Sequence, residues 1–403
     1  MENMGMSKSV LFDNVFFQKK VLVTGHTGFK GAWLSLWLKQ LGAEVFGYSL
    51  GTVSKLSFYE QCHLEKQISS HLGDVRDGER LKLLTKKLKP DIIFHLAAQS
   101  LVRRSYENPA ETFSTNVMGC VNVLEAIRVV KSVRVCQIIT SDKCYDLREF
   151  KNAYCETDRL GGSDPYSASK SCEEQVVSSY LKSFFIPDQI AKHDISLSSV
   201  RAGNVIGGGD WADDRLVPDC IRALSTNQPL RIRHPNHIRP WQYVLDALSG
   251  YLCLASKQWQ EPDHFAGAWN FGPDSSQNVT VSNMVKKIDQ QWGNDSDRSI
   301  NLPILKDENG DVFYEAPTLR LDFSKARAML HWHPTYSLNQ TIEKTVAWYR
   351  QQIENPEWDA FAFSKKIIDE YVREARGREL NWAINQNVLH DPRKSTEENI
   401  AIG

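Results

Sequence analysis

The sequence predicts an α/β fold built on a doubly wound parallel sheet, and three observations carry that prediction. Short runs rich in Val and Ile alternate with helical stretches through the first half of the chain. The first run, KKVLVT (residues 19–24), passes at once into a glycine-punctuated loop and then a helical pattern. After Val205 the alternation stops, and GGGDW, several prolines and the basic cluster RIRHPNHIRPW replace it.

Each element follows in order. Gly25, Gly28 and Gly31 sit between the KKVLVT strand and the helical AWLSLWLKQLG, which Gly42 closes. In such a loop the first glycine permits the turn, the second lets backbone approach a pyrophosphate, and the third lets helix and strand pack closely. The helix N-terminus then faces the anion, and the unit reads as Rossmann-like. AEVFGYSL, ISSHLGDV, DIIFHLAA and VCQIITS are further strands, separated by helices such as ERLKLLTKKLK and TNVMGCVNVLEAIRVV. SLSSVRAGNV is the last strand of the set. Right-handed crossovers are the expected connections. The boundaries are a dinucleotide-binding domain over 17–205, with 243–272 returning to it. A smaller C-terminal α/β substrate-binding domain takes 206–242 and 273–350. A helical extension over 351–403 ends in DPRKSTEENIAIG, which reads as frayed.

Bulk properties narrow the function. A net charge of -1 supplies no basic field for nucleic acid and no polybasic segment for a membrane, so the expected partner is a small molecule. Any anionic ligand must be met by a few local cations. The eight cysteines form no C-x-x-C and no zinc-type spacing, which implies reduced thiols, no metal and a cytoplasmic setting. No apolar run is long enough to cross a membrane, and the N-terminus lacks an export pattern.

The chemistry centres on Tyr166 and Lys170, four residues apart and so on one helix face, where the ammonium can lower the phenol pKa and steady a ribose. The triplet Ser141-Asp142-Lys143 comes earlier, with Asp142 twenty-four residues before Tyr166. Asp74-Val75 follows a strand, placing Asp74 either to accept from an adenine amino group or to cap the helix RDGERLKLL. Ala97-Ala98 are small enough to let a cofactor cross the sheet edge. The tip of the second strand, Tyr48-Ser49-Leu50, has no acid for an adenosine ribose and no Arg for a 2'-phosphate, which favours NAD over NADP.

Taken together, GHTGFKG, LAAQSLVRRSYENP, TNVMGCVNVLEA, TSDKCY, DPYSASKSCEE, RAGNVIGGGDW, RPWQYV and AWNFGP resemble the extended short-chain dehydrogenase/reductases, the NAD-dependent epimerase/dehydratase family, from about residue 19 to 350. In thymidine- and GDP-sugar relatives the triplet usually reads Thr-Asp-Glu, whereas Lys143 after Asp142 is similar to the cytidine branch. The resemblance implies NAD as a retained prosthetic group, CDP-glucose as substrate, and loss of water from C6 made possible by transient oxidation at C4. It assigns Tyr166 with Lys170 to the C4 hydroxyl proton and Ser141 to holding that hydroxyl or the Tyr oxygen. Asp142 is to protonate the departing C6 oxygen, and Lys143 either to take the C5 proton or only to orient Asp142. NAD is expected on Gly25, Thr27, Gly28, Phe29, Lys30 and Gly31, on Asp74 and Val75, on Leu96, Ala97 and Ala98, and on Thr140, Tyr166 and Lys170. Arg215 and Arg239 are expected to grip the diphosphate, with Arg231 and Arg233 behind them, and Asn204 and Asn270 to hydrogen-bond the sugar nucleotide.

Two rival readings use the same parts. A 4-epimerase needs Tyr166 and Lys170 but no acid and base at C5 and C6, so Asp142-Lys143 disfavours it. A non-catalytic NAD sensor would tend to lack the pair altogether. The family pairs into homodimers or homotetramers through helices like VMGCVNVLEAIRVV and SASKSCEEQVVSSYLKSF, although the apolar stripes of these two could equally cover their own sheet.

Overall fold

The computed structural model describes residues 11–52, 54–147, 153–274, 278–293, 304–306 and 318–384. The frayed segment expected at the C-terminus lies outside them. Along the chain run β1 (Lys20–Thr24), α1 (Phe29–Gln40), β2 (Glu44–Ser49), α2 (Phe58–Gln61), β3 (Ser69–Leu72), α3 (Gly78–Leu88), β4 (Ile92–His95), α4 (Val102–Glu107) and α5 (Pro109–Phe113). A π-helical turn over Ser114–Met118 leads into α6 (Gly119–Val129), then β5 (Val135–Ile139), α7 (Pro165–Ser183), α8 (Ile190–His193), β6 (Ser196–Ala202), β7 (Asn204–Ile206) and α9 (Leu216–Thr226). The remainder comprises β8 (Leu230–Ile232), β9 (Ile238–Tyr243), α10 (Val244–Gln260), β10 (Gly267–Phe271), β11 (Asn278–Thr280), α11 (Val281–Gly293), β12 (Ile304–Lys306), α12 (Ser324–Leu330), α13 (Leu338–Glu354) and α14 (Ala360–Gly377).

Seven strands form one parallel sheet in the order β10-β6-β5-β4-β1-β2-β3. Both faces are covered, and the side-chain period of two divides each strand between them. Val21, Val23, Ile92 and Phe94 join the core that holds α1 and α10, while Leu22 and Ile93 join the one built with α3, α6 and α7. The strand order reverses between β1 and β4, and the crevice at their C-terminal ends is the usual ligand position in such sheets.

The strand read as SLSSVRAGNV is broken at Gly203. Its first part stays in the large sheet, whereas β7 leaves to pair with β9 in a three-stranded sheet β11-β9-β7. A Cβ at Gly203 would come within 2.8 Å of the Pro240 ring, so the break uses a residue without one. The capping alternative for Asp74 is also corrected: the α3 cap is Asp77, whose side chain accepts from Arg80 N.

The C-terminal extension does more than its polar composition suggested. Trp33 and Trp37 on α1 are fully buried, and α14 supplies part of the cover through Ile367, Ile368, Tyr371, Val372 and Ala375. The Trp37 ring meets Tyr371 at 5.7 Å and Trp382 at 6.0 Å. Trp382 in turn stacks on Phe12, 4.9 Å between centroids, and its carbonyl accepts from Phe12 N. A helix apolar all round needs cover on every side, and α1 has it from both ends of the described chain.

Candidate active site

Local structure fixes the central residues. Beyond β5 the chain turns at Ser141, whose Oγ accepts from Lys143 N at 3.2 Å and so caps the short helical turn Asp142–Cys144. Helix α7 begins with Asp164 accepting from Ser167 N at 2.9 Å and with Pro165 in its first turn, where a missing N–H costs nothing. Tyr166 therefore lies at the helix start, and its backbone N–H is held by Ser105 Oγ at 3.2 Å. Lys170 follows one turn later on the same face.

The structure brings the triplet and the pair together. The Tyr166 phenol is hydrogen-bonded to Ser141; burial raises its pKa, while the Lys170 ammonium pulls it down. Ser141 Oγ also donates to Asp142 Oδ1 at 3.0 Å. Asp142 is 3% exposed, and its Oδ2 has no hydrogen-bond partner. Burial pushes this carboxyl up, with Lys143, Ser141, Arg239 and Lys30 acting against it. A buried carboxyl with an uncommitted oxygen is suited to holding a proton for delivery. Lys30 shares the space: burial, together with Lys170 and Arg215, lowers its ammonium to about 7, partly opposed by Asp142.

A cavity of about 730 Å³ is lined by Lys30, Ser141, Asp142, Lys143 and Tyr166 and also by the cations of the β8–β9 region. Asn204, Arg215, Arg231, Arg233 and Arg239 all line it. Arg215 is ion-paired to Asp210 at 2.8 Å and donates to Ser100 Oγ. Arg239 is largely buried and donates to Ile238 O and to His237 Nδ1, at 3.0 and 3.1 Å. Asn270 is not brought to this cavity. Its Oδ1 accepts from Tyr145 and its Nδ2 donates to the carbonyls of Tyr154 and Asp322, so the amide ties loops together. The sequence shows an Asn at a strand end but not which side its amide faces.

The glycine crevice fits a dinucleotide. Gly25 has φ +73°, and a Cβ there would lie 2.7 Å from Ala97 N; one at Gly31 would lie 2.2 Å from Gly25 O. Gly28 caps α1, and Phe29 and Lys30 in its first turn line the cavity. Thr27 Oγ1 donates to Gly51 O and bonds Ser49, fixing the β2 tip. Leu96 N and Ala97 N are held by Thr24, which keeps the β4 end against β1. Asp74 is gripped by the Arg76 backbone and guanidinium, bonds that draw its pKa down. Val75 packs where a Cβ on Gly119 would stand. Thr140 lines the cavity, although its hydroxyl is spent on Glu174. The sequence reading missed His237 beside Arg239, Asp210 beside Arg215, and Glu173 beside Lys170; only the last had a signal, its spacing of three from Lys170 on one helix.

Comparison with known proteins shows the family and the fold. The family model for GDP-mannose 4,6 dehydratase matches residues 22–345. CDP-glucose 4,6-dehydratase of Salmonella typhimurium is 47% identical over 363 residues, covering 90% of this chain and 99% of that protein. Among solved structures, dTDP-glucose 4,6-dehydratase from Bacillus anthracis in complex with NAD superposes with a TM-score of 0.68 at 20% identity, over 84% of this chain and 98% of that one. UDP-glucose 4-epimerase from Thermotoga maritima with UDP-glucose gives 0.68 at 20% identity, over 83% and 99%.

Proposed function

The chain belongs to the GDP-mannose 4,6-dehydratase family of extended short-chain dehydrogenase/reductases, and from that premise we propose that it is a hydro-lyase converting CDP-glucose to CDP-4-dehydro-6-deoxyglucose and water. The observation that carries this reading is the meeting of Tyr166, with the Lys170 charge behind it, and Ser141–Asp142–Lys143 on one cavity that Arg215 and Arg239 also line. NAD, when bound in the glycine crevice, supplies the redox capacity for C4 oxidation and for the return of the same hydrogen at C6. Gly25, Gly28 and Gly31 give its pyrophosphate room, and Lys170 orients its ribose.

The remaining work is proton handling by the chain. Tyr166 Oη, steadied by Ser141, accepts the C4 hydroxyl proton. With a ketone at C4 the C5 hydrogen becomes acidic, and Lys143 removes it. Asp142 Oδ2 delivers its proton to the C6 oxygen, which leaves as water. The burial that raises Asp142 favours its protonated form. Arg239 and Arg215 clamp the diphosphate, and Asn204 bonds the sugar nucleotide.

Incubating the protein with CDP-glucose and weighing the product is the test. Loss of one water supports the dehydratase, an unchanged mass with an inverted C4 marks an epimerase, and untouched substrate marks a binding protein. Arg239→Ala is expected to weaken CDP-glucose binding about thirtyfold or more, on the order of 2 kcal/mol. Calorimetry checks it, and unchanged affinity would move the diphosphate elsewhere.

The same reading extends to assembly and setting. Phe113, Met118, Val129 and Phe184 are exposed apolar residues on α5, α6, the π-turn between them and the end of α7, which supports pairing of two copies into a homodimer, or a homotetramer built from it. A cytoplasmic role in deoxysugar biosynthesis accords with eight free cysteines and with the absence, among the described residues, of a helix long and apolar enough to cross a membrane.

A further inference from the structure

Three lysines line or adjoin the catalytic cavity, Lys30, Lys143 and Lys170; Lys170 is the buried one, and a carboxylate is bonded to it. Lys170 Nζ donates to Glu173 Oε1 at 2.9 Å and Oε2 at 3.0 Å, with Ile139 O at 3.4 Å. The side chains of this pair are 3% and 1% exposed. Lys30 donates only to the Tyr251 hydroxyl, at 3.4 Å.

The outcomes diverge as the geometry requires. Burial disfavours an ammonium in both places. At Lys30 burial wins, and the group falls to about 7. At Lys170 burial also acts downward, but Glu173, with further help from Tyr166 and Cys120, offsets it and holds the group above the ordinary lysine value. Among the described residues Glu173 is the carboxylate bonded to Lys170. On its own helix Tyr166 is the other neighbour; β4 contributes His95, which burial and Lys170 keep neutral, with its pKa at about 3. From α6 comes the buried thiol of Cys120, from the turn after β5 the Asp142 carboxyl, and from α1 the competing cation Lys30. The adjacent acid, Glu174, is committed elsewhere, to Arg201, Ser199 and Thr140.

We propose that Glu173 is a positioning residue for the reaction: bonded through both oxygens inside the protein, it keeps Lys170 an ammonium and holds it in place behind Tyr166. This rests on the reading of Lys170 as partner to the Tyr166 base. The alternative is an ion pair that only stabilises the helix, and the two separate experimentally. Without Glu173, Lys170 stands where Lys30 stands, so its charge should be lost as pH rises through a much lower midpoint.

The first measurement uses the protein without dinucleotide, labelled with ¹³C at lysine Cε, the Lys170 signal being assigned by Lys170→Met. In the wild type this signal is expected to report an ammonium through about pH 9; in Glu173→Gln its midpoint should fall by about two units or more. The second is the rate of water loss from CDP-glucose. Measured against wild type at the same pH, kcat of Glu173→Gln should fall about tenfold or more further between pH 7 and pH 9, with KM little changed. Glu173→Asp, which keeps the charge, should restore most of the alkaline activity. Parallel pH profiles and an unmoved Lys170 midpoint, accompanied only by a lower melting temperature, would overturn the proposal. If Glu173→Gln fails to fold, the wild-type titration still decides: a Lys170 that loses its proton below pH 9 with Glu173 in place refutes it. A wild type that never dehydrates CDP-glucose would count against the proposed function, while the lysine titration would still judge Glu173 on its own.

Discussion

Tyr166→Phe is expected to lower kcat for water loss from CDP-glucose by about 10² to 10⁴-fold, with KM changed little. The ring is buried and its backbone is fixed by the Asp164 cap and by Ser105, so Phe fills the same space in the same place. What disappears is one oxygen, the one bonded to Ser141 and placed beside the Lys170 charge. No other group on the cavity combines a Ser141 bond with that cation. Wild-type kcat/KM should rise with pH through the Tyr166 pKa, because the base acts only when deprotonated; burial raises that pKa and Lys170 restrains it. In the Phe variant this dependence should vanish. Initial rates read by chromatography of the sugar nucleotides are enough, and a rate within about threefold of wild type would remove Tyr166 from the base role.

Asp142→Asn should be nearly as damaging, about 10² to 10³-fold in water loss, by a different failure. Asn keeps the shape and can still accept from Ser141 at the Oδ1 position, but it has no acidic proton to give at the position of the partnerless Oδ2. Oxidation at C4 and proton removal at C5 should survive, so CDP-glucose recovered from deuterium oxide should carry deuterium at C5. The sign of the pH effect also follows. Acid catalysis is present below the Asp142 pKa and is lost as pH rises through it; burial places that pKa above the ordinary carboxyl value, and the Asn variant should lack this limb. Full turnover without the acid, or failure of both elimination and C5 exchange, would each contradict the assignment.

Much of the architecture is legible in the sequence because it depends on local rules. Three glycines after a Val-rich strand specify a backbone path that side chains would block, and the collisions at Gly25 and Gly31 show why. The Tyr166–Lys170 spacing works the same way, since a helix turn puts those positions on one face whatever surrounds them. Long-range pairings were the opaque part. Nothing near Asn270 reveals that Tyr145, Tyr154 and Asp322 will claim its amide. Asp74 and Asp77 are both plausible caps by type, and only the chain path selects the second. Trp37 in AWLSLWLKQLG is covered by Tyr371 and Trp382, more than three hundred residues away in the chain, and nothing local to it points to them.

That partnership affects how the protein is made. Helix α1 is complete by Gln40, whereas Tyr371 and Trp382, which cover Trp37 on its far side, are made about 330 residues later. At about 5–20 residues per second, the nascent chain waits tens of seconds with the Trp37 indole uncovered on that side. Throughout that interval the growing polypeptide carries a sticky, half-finished fold, and only the arrival of α14 and Trp382 closes it.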